Sequence, residues 1–288
     1  MDVLKKYTPE ELERQYNVRE GRADYETAIV PDWTNRSAHT RENHNCTLDL
    51  QYGLSDKQNL DWFPTGDASA PTLIFFHGGY WQRGDKSGYS FLAEPFVKNG
   101  INMIIMGYNL CPTVSMTDLT EQSRQALVWI WENGDHLGLD VNRLVVSGHS
   151  AGGHLTEMLM GTDWPSRNKN LPCDLIKAGI PISPLSLLEP IRHTTINDAL
   201  GMDTDEAEML SPMNTPPVTN APQLIVCGGA ETDEFHRQSD MYFEAFNTAE
   251  IPFERYNVPN ADHFDEINIL ADANSEFFRK LETFVKSV

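Results

Sequence analysis

Residues 145–155 read VVSGHSAGGHL. Two valines close an apolar run, and a serine follows between two glycines in the pattern G-x-S-x-G, Gly148 to Gly152. Alone, that pattern would turn up by chance in roughly one chain in ten of this length. Its setting makes it informative. "RLVVSG" at 143–148 reads as a buried strand, and "AGGHLTEMLMG" at 151–161 as a helix. A serine at a sharp strand-to-helix turn sits in a strained backbone with its hydroxyl lifted clear of the sheet. Large residues two positions either side would collide, hence Gly148 and Gly152. Ser150 is therefore the candidate nucleophile. The Ala151 N–H, at a helix N-terminus, is a candidate donor to an oxyanion. A phosphate loop would need a Lys that this segment lacks.

Outward from this turn the chain alternates strand-like and helix-like segments. "CTLDLQYG" and "NLDWF" read as an early hairpin, followed by "TLIFF" at 72–76 and "NMIIMGYN" at 102–109. Residues 117–133 repeat apolar positions at helical spacing. "KAGIPIS" at 177–183, "QLIVCGG" at 223–229 and "FERYNV" at 253–258 are further strands, with helix-like stretches at 236–249 and 264–286. Strands alternating with helices predict an α/β fold with a mostly parallel sheet covered on both faces. The expected layout is one domain over 1–288. Its first 45 residues form a cap-like segment over the active edge, and residues 184–220 form a short-helix insertion.

A serine hydroxyl needs a base to take its proton. In this strand–helix order the acid and then the base follow the serine. Past the 223–229 strand lie Glu231, Asp233 and Glu234. Past the 253–258 strand lies His263. His77, His149, His154 and His236 fit the base position less well. The remaining oxyanion donors are expected from "HGGYW" at 77–81, where the glycines let a ligand approach the backbone. His77 is expected to order that loop. Tyr80 and Trp81 are open to two readings, ordinary packing or a wall of the substrate pocket.

Composition limits the partners. The net charge of −20, from 42 acidic and 22 basic residues, repels nucleic acid and anionic membrane. No apolar stretch approaches the roughly 20 residues of a membrane span. The charged N-terminus shows no secretory pattern, so a cytoplasmic location is expected. Cys46, Cys111, Cys173 and Cys227 are scattered without a CxxC pair. They read as reduced, buried thiols rather than a disulfide framework or zinc site. A metallohydrolase motif such as H-E-x-x-H is absent.

With these residues in hand, the chain resembles the serine-dependent kynurenine formamidases (arylformamidases), α/β-hydrolases of the hormone-sensitive-lipase-like group. The matching pieces are "HGGYW" at 77–81, "GHSAGGHL" at 148–155, "EFHRQS" at 234–239 and "DHFD" at 262–265, with "YN" at 16–17, "W" at 33 and "LDWF" at 60–63 before the sheet. The resemblance implies an α/β-hydrolase fold. It assigns Ser150 as nucleophile, His263 as base, and Gly78, Gly79 and Ala151 as oxyanion-hole donors. At the family's acid position, usually Asp, this chain has Glu231, with Asp233 as the alternative. The implied activity is cleavage of a small acyl group from an aryl amide, N-formylkynurenine to kynurenine and formate, without metal or organic cofactor. A short-chain carboxylesterase is the alternative on the same scaffold. The expected partner is a small-molecule aryl formamide or ester, with Tyr80 and Trp81 as candidate substrate-binding residues. No nucleic acid or membrane partner is expected, and a homodimer is left open.

Overall fold

In a computed structural model, which describes residues 3–288, eight strands form one sheet in the order β1-β2-β4-β3-β5-β6-β7-β8. They are β1 (Thr47–Gln51), β2 (Asn59–Phe63), β3 (Thr72–Phe76), β4 (Asn102–Met106), β5 (Leu144–His149), β6 (Ala178–Ile182), β7 (Gln223–Gly228) and β8 (Phe253–Val258). The hairpin of β1 and β2 is antiparallel, as is the β2–β4 pairing. Every pairing from β4 through β8 is parallel.

Among the described residues the α-helices are α1 (Pro9–Tyr16), α2 (Val30–Asn43), α3 (Ala93–Lys98), α4 (Met116–Leu137), α5 (Ala151–Met160), α6 (Trp164–Arg167), α7 (Glu189–Arg192), α8 (Asn197–Leu200), α9 (Thr204–Met209), α10 (Asp233–Phe246), α11 (Asp265–Leu270) and α12 (Glu276–Lys286). Local chemistry sets their limits. Ser115 and Asp118 cap the start of α4 reciprocally, and Gly138, at φ 69°, ends it in the left-handed region.

The strand pattern explains the layering. In β3, Ile74 and Phe76 join one apolar cluster with Val146, Leu119 and Leu155, while Leu73 and Phe75 join another with Val145, Phe96 and Phe278. Successive side chains of a strand point to opposite faces, so one unbroken apolar run fills both cores. The helix-like stretch 264–286 is two helices, because Ser275 accepts from the Phe278 N–H and starts a new one. The stretch expected over 236–249 begins at Asp233, with Thr232 as its N-cap residue. The expectation of four buried thiols also needs correction: Cys111 and Cys227 are buried, Cys46 is partly so, and Cys173 is exposed.

The parallel register brings the functional loops together. Phe76 at the end of β3 pairs with both Met106 and Gly148. The loops after β3 and β5 therefore leave the sheet side by side at its carboxyl edge, where ligands bind in open α/β sheets. The loops after β7 and β8 leave at the same edge.

Candidate active site

Ser150 has φ 58° and ψ −117°, between the end of β5 and the first residue of α5. This is the strained turn expected of it. Both flanking glycines are required by space. A Cβ on Gly148 would lie 2.2 Å from the Gly152 carbonyl oxygen, and one on Gly152 would lie 2.0 Å from that of Phe76. The turn is fixed by a Ser150 N–H bond to the Ile182 carbonyl, 2.8 Å.

The loop 77–81 presses on this turn. A Cβ on Gly78 would meet the His149 carbonyl oxygen at 3.0 Å and the Ser150 Cβ at 3.2 Å. Gly79 takes φ 122°, which the following tight turn needs, and Tyr80 and Trp81 are both left-handed. Among the described residues, the N–H groups of Gly78, Gly79 and Ala151 have no protein acceptor. His77 does order the loop. Its Nδ1 donates to the Gly78 carbonyl at 2.7 Å, its ring stacks on Tyr108, and Tyr108 Oη donates to its carbonyl at 2.7 Å. Burial lowers the His77 pKa to about 4, so it is neutral and no store of protons.

The candidate acid and base come from the next two loops. His263 Nδ1 donates to Glu231 Oε1 at 2.6 Å, with the side chains 6% and 1% exposed. A contact this short and dry between an imidazole and a carboxylate fixes the tautomer and leaves Nε2 free to accept a proton. Asp233, the alternative acid, is exposed at the first position of α10. Glu234 is buried and bound to Arg237 and the Tyr16 hydroxyl. Ser150 and His263 line one cavity of about 40 Å³ with Gly78, Gly79 and Tyr80. No hydrogen bond joins Ser150 to His263 here, and such bonds commonly tighten only around a bound substrate.

Tyr80 and Trp81 part company. Tyr80 lines the cavity, and its hydroxyl donates to the Tyr16 carbonyl. Trp81 is fully buried beneath the loop, edge-on to His154 at 5.0 Å. Of the two readings open to Trp81, the side chain occupies the packing one. His154 is itself structural: its Nε2 bonds the Leu210 carbonyl at 2.8 Å, and burial lowers its pKa to about 4.

Several site residues were not singled out by their sequence pattern. Val18, Arg19, Tyr25 and Trp33, from the segment before the sheet, line the cavity. The segment is pinned beside His263. Arg22 pairs with Asp262 at 2.5 Å and Asp265 at 2.9 Å, and Trp33 Nε1 donates to Asn268 at 2.8 Å. Burial would raise the Asp262 carboxyl, but Arg22 and two backbone N–H groups hold it below its ordinary value. A second, open cleft of about 510 Å³ shares Val18, His263 and Phe264 with the small cavity and extends past Glu231 and Thr232. The order of elements placed this segment over the active edge, and the match of "YN" and "W" to the resembling family pointed to it, but neither named these lining residues.

Fold and relatives define the class: this is an α/β-hydrolase, a hydrolytic enzyme. The BD-FAE family model matches residues 62–175. A kynurenine formamidase of Danio rerio is 30% identical over 286 residues, 95% of each chain. The crystal structure of a Silicibacter sp. TM1040 protein, assigned provisionally as a thioesterase, is 31% identical. It superposes with a TM-score of 0.82 over 96% of this chain and 99% of its own. The chain belongs to the kynurenine formamidase family. A carboxylesterase NlhH of Mycobacterium tuberculosis is a more distant relative, 25% identical over 73% of this chain and 72% of its own.

Proposed function

We propose that the protein cleaves a small acyl group, a formyl group first of all, from an aryl amide, and that its substrate is N-formylkynurenine. The observation that carries this reading is the pair of spaces meeting at His263. The Ser150 side offers a small cavity of about 40 Å³. The cleft on the Glu231 side offers about 510 Å³. A formyl group suits the first and an aromatic amine the second.

The residues then act in order. His263 Nε2 takes the Ser150 proton as the hydroxyl attacks the carbonyl carbon. The N–H groups of Gly78, Gly79 and Ala151, free of protein acceptors, receive the oxyanion. His263 returns the proton to the leaving amine. Water, activated by the same imidazole, releases formate. Glu231 holds the tautomer and stabilises the imidazolium throughout. Residues 3–45 act as a cap that walls the leaving-group cleft, with Arg22 as its anchor. The free thiols of Cys111 and Cys227 suit a reducing compartment such as the cytoplasm.

A short-chain esterase is the second reading. The carboxylesterase relative and the provisionally assigned thioesterase favour it, since the same machinery accepts an ester. The deciding experiment is kcat/KM for N-formylkynurenine beside p-nitrophenyl acetate and butyrate on one preparation. The proposal expects N-formylkynurenine to lead and butyrate to be the poorest. An order of acetate and butyrate above the formamide would make the esterase reading the correct one.

A further inference from the structure

We propose that His149, Glu266 and His263 form a binding site for a divalent transition metal of the zinc type, and that filling this site switches the enzyme off. The second half rests on the reading of His263 as the base; the first does not. One donor atom from each of the three side chains lies within 4.8 Å of the others, and all three residues are buried. His149 Nε2 is 3.0 Å from Glu266 Oε1, yet out of line for a hydrogen bond. Among the described residues, neither ring nitrogen of His149 and neither carboxylate oxygen of Glu266 has a well-aligned hydrogen-bond partner, although the residues are 3% and 0% exposed; the His263 backbone and the Ser183 hydroxyl are their polar neighbours. Four polar atoms without an aligned partner in one dry place are costly, and an ion or water is the ordinary remedy.

The donor set selects the ion. Two imidazoles and a carboxylate form a zinc set that keeps one position open, whereas calcium and magnesium prefer oxygen alone. Zinc bonds of about 2.1 Å put tetrahedral ligands about 3.4 Å apart. The His149–Glu266 pair is already near that spacing, and the third donor needs to close by about 1.4 Å at most. His263 is pre-set for the role. Its Nδ1 is held by Glu231 at 2.6 Å, the carboxylate–imidazole support that metal-binding histidines usually have, and Nε2 is the nitrogen left open. An entry path exists because His149 and His263 both line the cavity beside Ser150. The two carboxylates, Glu231 and Glu266, balance the double charge of the ion. A metal on Nε2 takes the lone pair that would accept the Ser150 proton, so the site cannot be filled and catalytic at once.

The test uses the whole chain, stripped with EDTA and titrated with Zn²⁺. Calorimetry is expected to show one equivalent bound. Hydrolysis is expected to stop as that equivalent binds and to return with EDTA. Crystals soaked in zinc are expected to show an anomalous peak at the zinc edge among His149, Glu266 and His263. Glu266→Gln, each rate normalised to its own metal-free value, is expected to need at least about tenfold more zinc for the same loss. Full activity with the equivalent bound, or a peak among other residues, overturns the proposal. Should Glu266→Gln fail to fold, the wild-type anomalous map decides alone. If the stripped protein hydrolyses no acyl substrate, the serine reading falls, while calorimetry and the anomalous map still judge the metal site.

Discussion

Replacing Glu231 by Gln removes one negative charge and leaves the shape nearly unchanged. In the wild type that charge sits 2.6 Å from His263 Nδ1, in surroundings almost free of water. With the imidazolium charge spread over the ring, the separation of charges is about 4 Å. At an effective dielectric of about 20 the attraction is then about 4 kcal/mol. That attraction exists fully only when His263 carries the Ser150 proton, so it lowers the barrier rather than the ground state. At 1.36 kcal/mol per decade it corresponds to about a thousandfold in kcat. The amide can also donate to Nδ1 and impose the wrong tautomer, which adds up to about another decade. Steady-state kinetics on N-formylkynurenine or p-nitrophenyl acetate is expected to show kcat down by 10³ to 10⁴, roughly, with KM little changed and the thermal melt close to wild type. Asp233→Asn, on the surface of α10, is expected to stay within about threefold. If Glu231→Gln kept activity within tenfold while Asp233→Asn lost it, the triad drawn here would be wrong.

Trp81→Ala leaves a large hole under the oxyanion loop and is expected to cost about 3–5 kcal/mol of stability. It should depress kcat alike for aryl formamides and aliphatic esters; a selective rise in KM for the aryl substrate would instead make Trp81 a substrate contact. In metal-free buffer, EDTA should leave activity intact, and loss on chelation restored by zinc would refute the serine mechanism. Burial lowers the pKa of His154 to about 4, so it binds a proton in the unfolded chain before the folded one. It therefore stabilises the fold fully above about pH 6.5 and loses that contribution as pH falls toward 4. The buried acids Glu157 and Glu266, whose carboxyls burial raises, act in the opposite direction, so the readout is a difference. The fall in Tm from pH 7 to pH 5 should be smaller in His154→Asn than in wild type, and an equal fall would remove His154 from the account.

Much of the site was legible because its constraints are local. The valine run, the two glycines and the apolar start of α5 define the turn at Ser150 within eleven residues. The steric reason holds in space: each glycine faces a carbonyl that a Cβ would strike, at 2.2 Å for Gly148 and 2.0 Å for Gly152. The place of His263 beside Ser150 was legible from chain order, since a parallel sheet returns every loop of this kind to one edge. Long-range pairs were not legible. Nothing in the pattern around Arg22 tells that it meets Asp262, 240 residues away, or that Trp33 reaches Asn268. The approach of His149 to Glu266 is equally hidden, because one ends a strand and the other sits on α11. The choice between Glu231 and Asp233 needed the geometry of a loop. One position opens the helix and points to water, and the other turns back onto the imidazole. Trp81 stayed open between two readings for a related reason. An aromatic beside two glycines reads equally as a pocket wall or as packing, and the left-handed backbone at Tyr80 and Trp81 lies where the second ring goes under the loop and the first stays in the cavity.

The claim on which the rest depends is that Ser150 forms the acyl-enzyme. The most direct measurement is labelling with a fluorophosphonate, followed by peptide mass spectrometry and residual activity on the same sample. The account predicts one adduct, on Ser150, with activity lost in proportion to labelling and no adduct on Ser150→Ala protein that still melts like the wild type. Full activity in protein labelled at Ser150, or an adduct on another residue that tracks the loss, would contradict it.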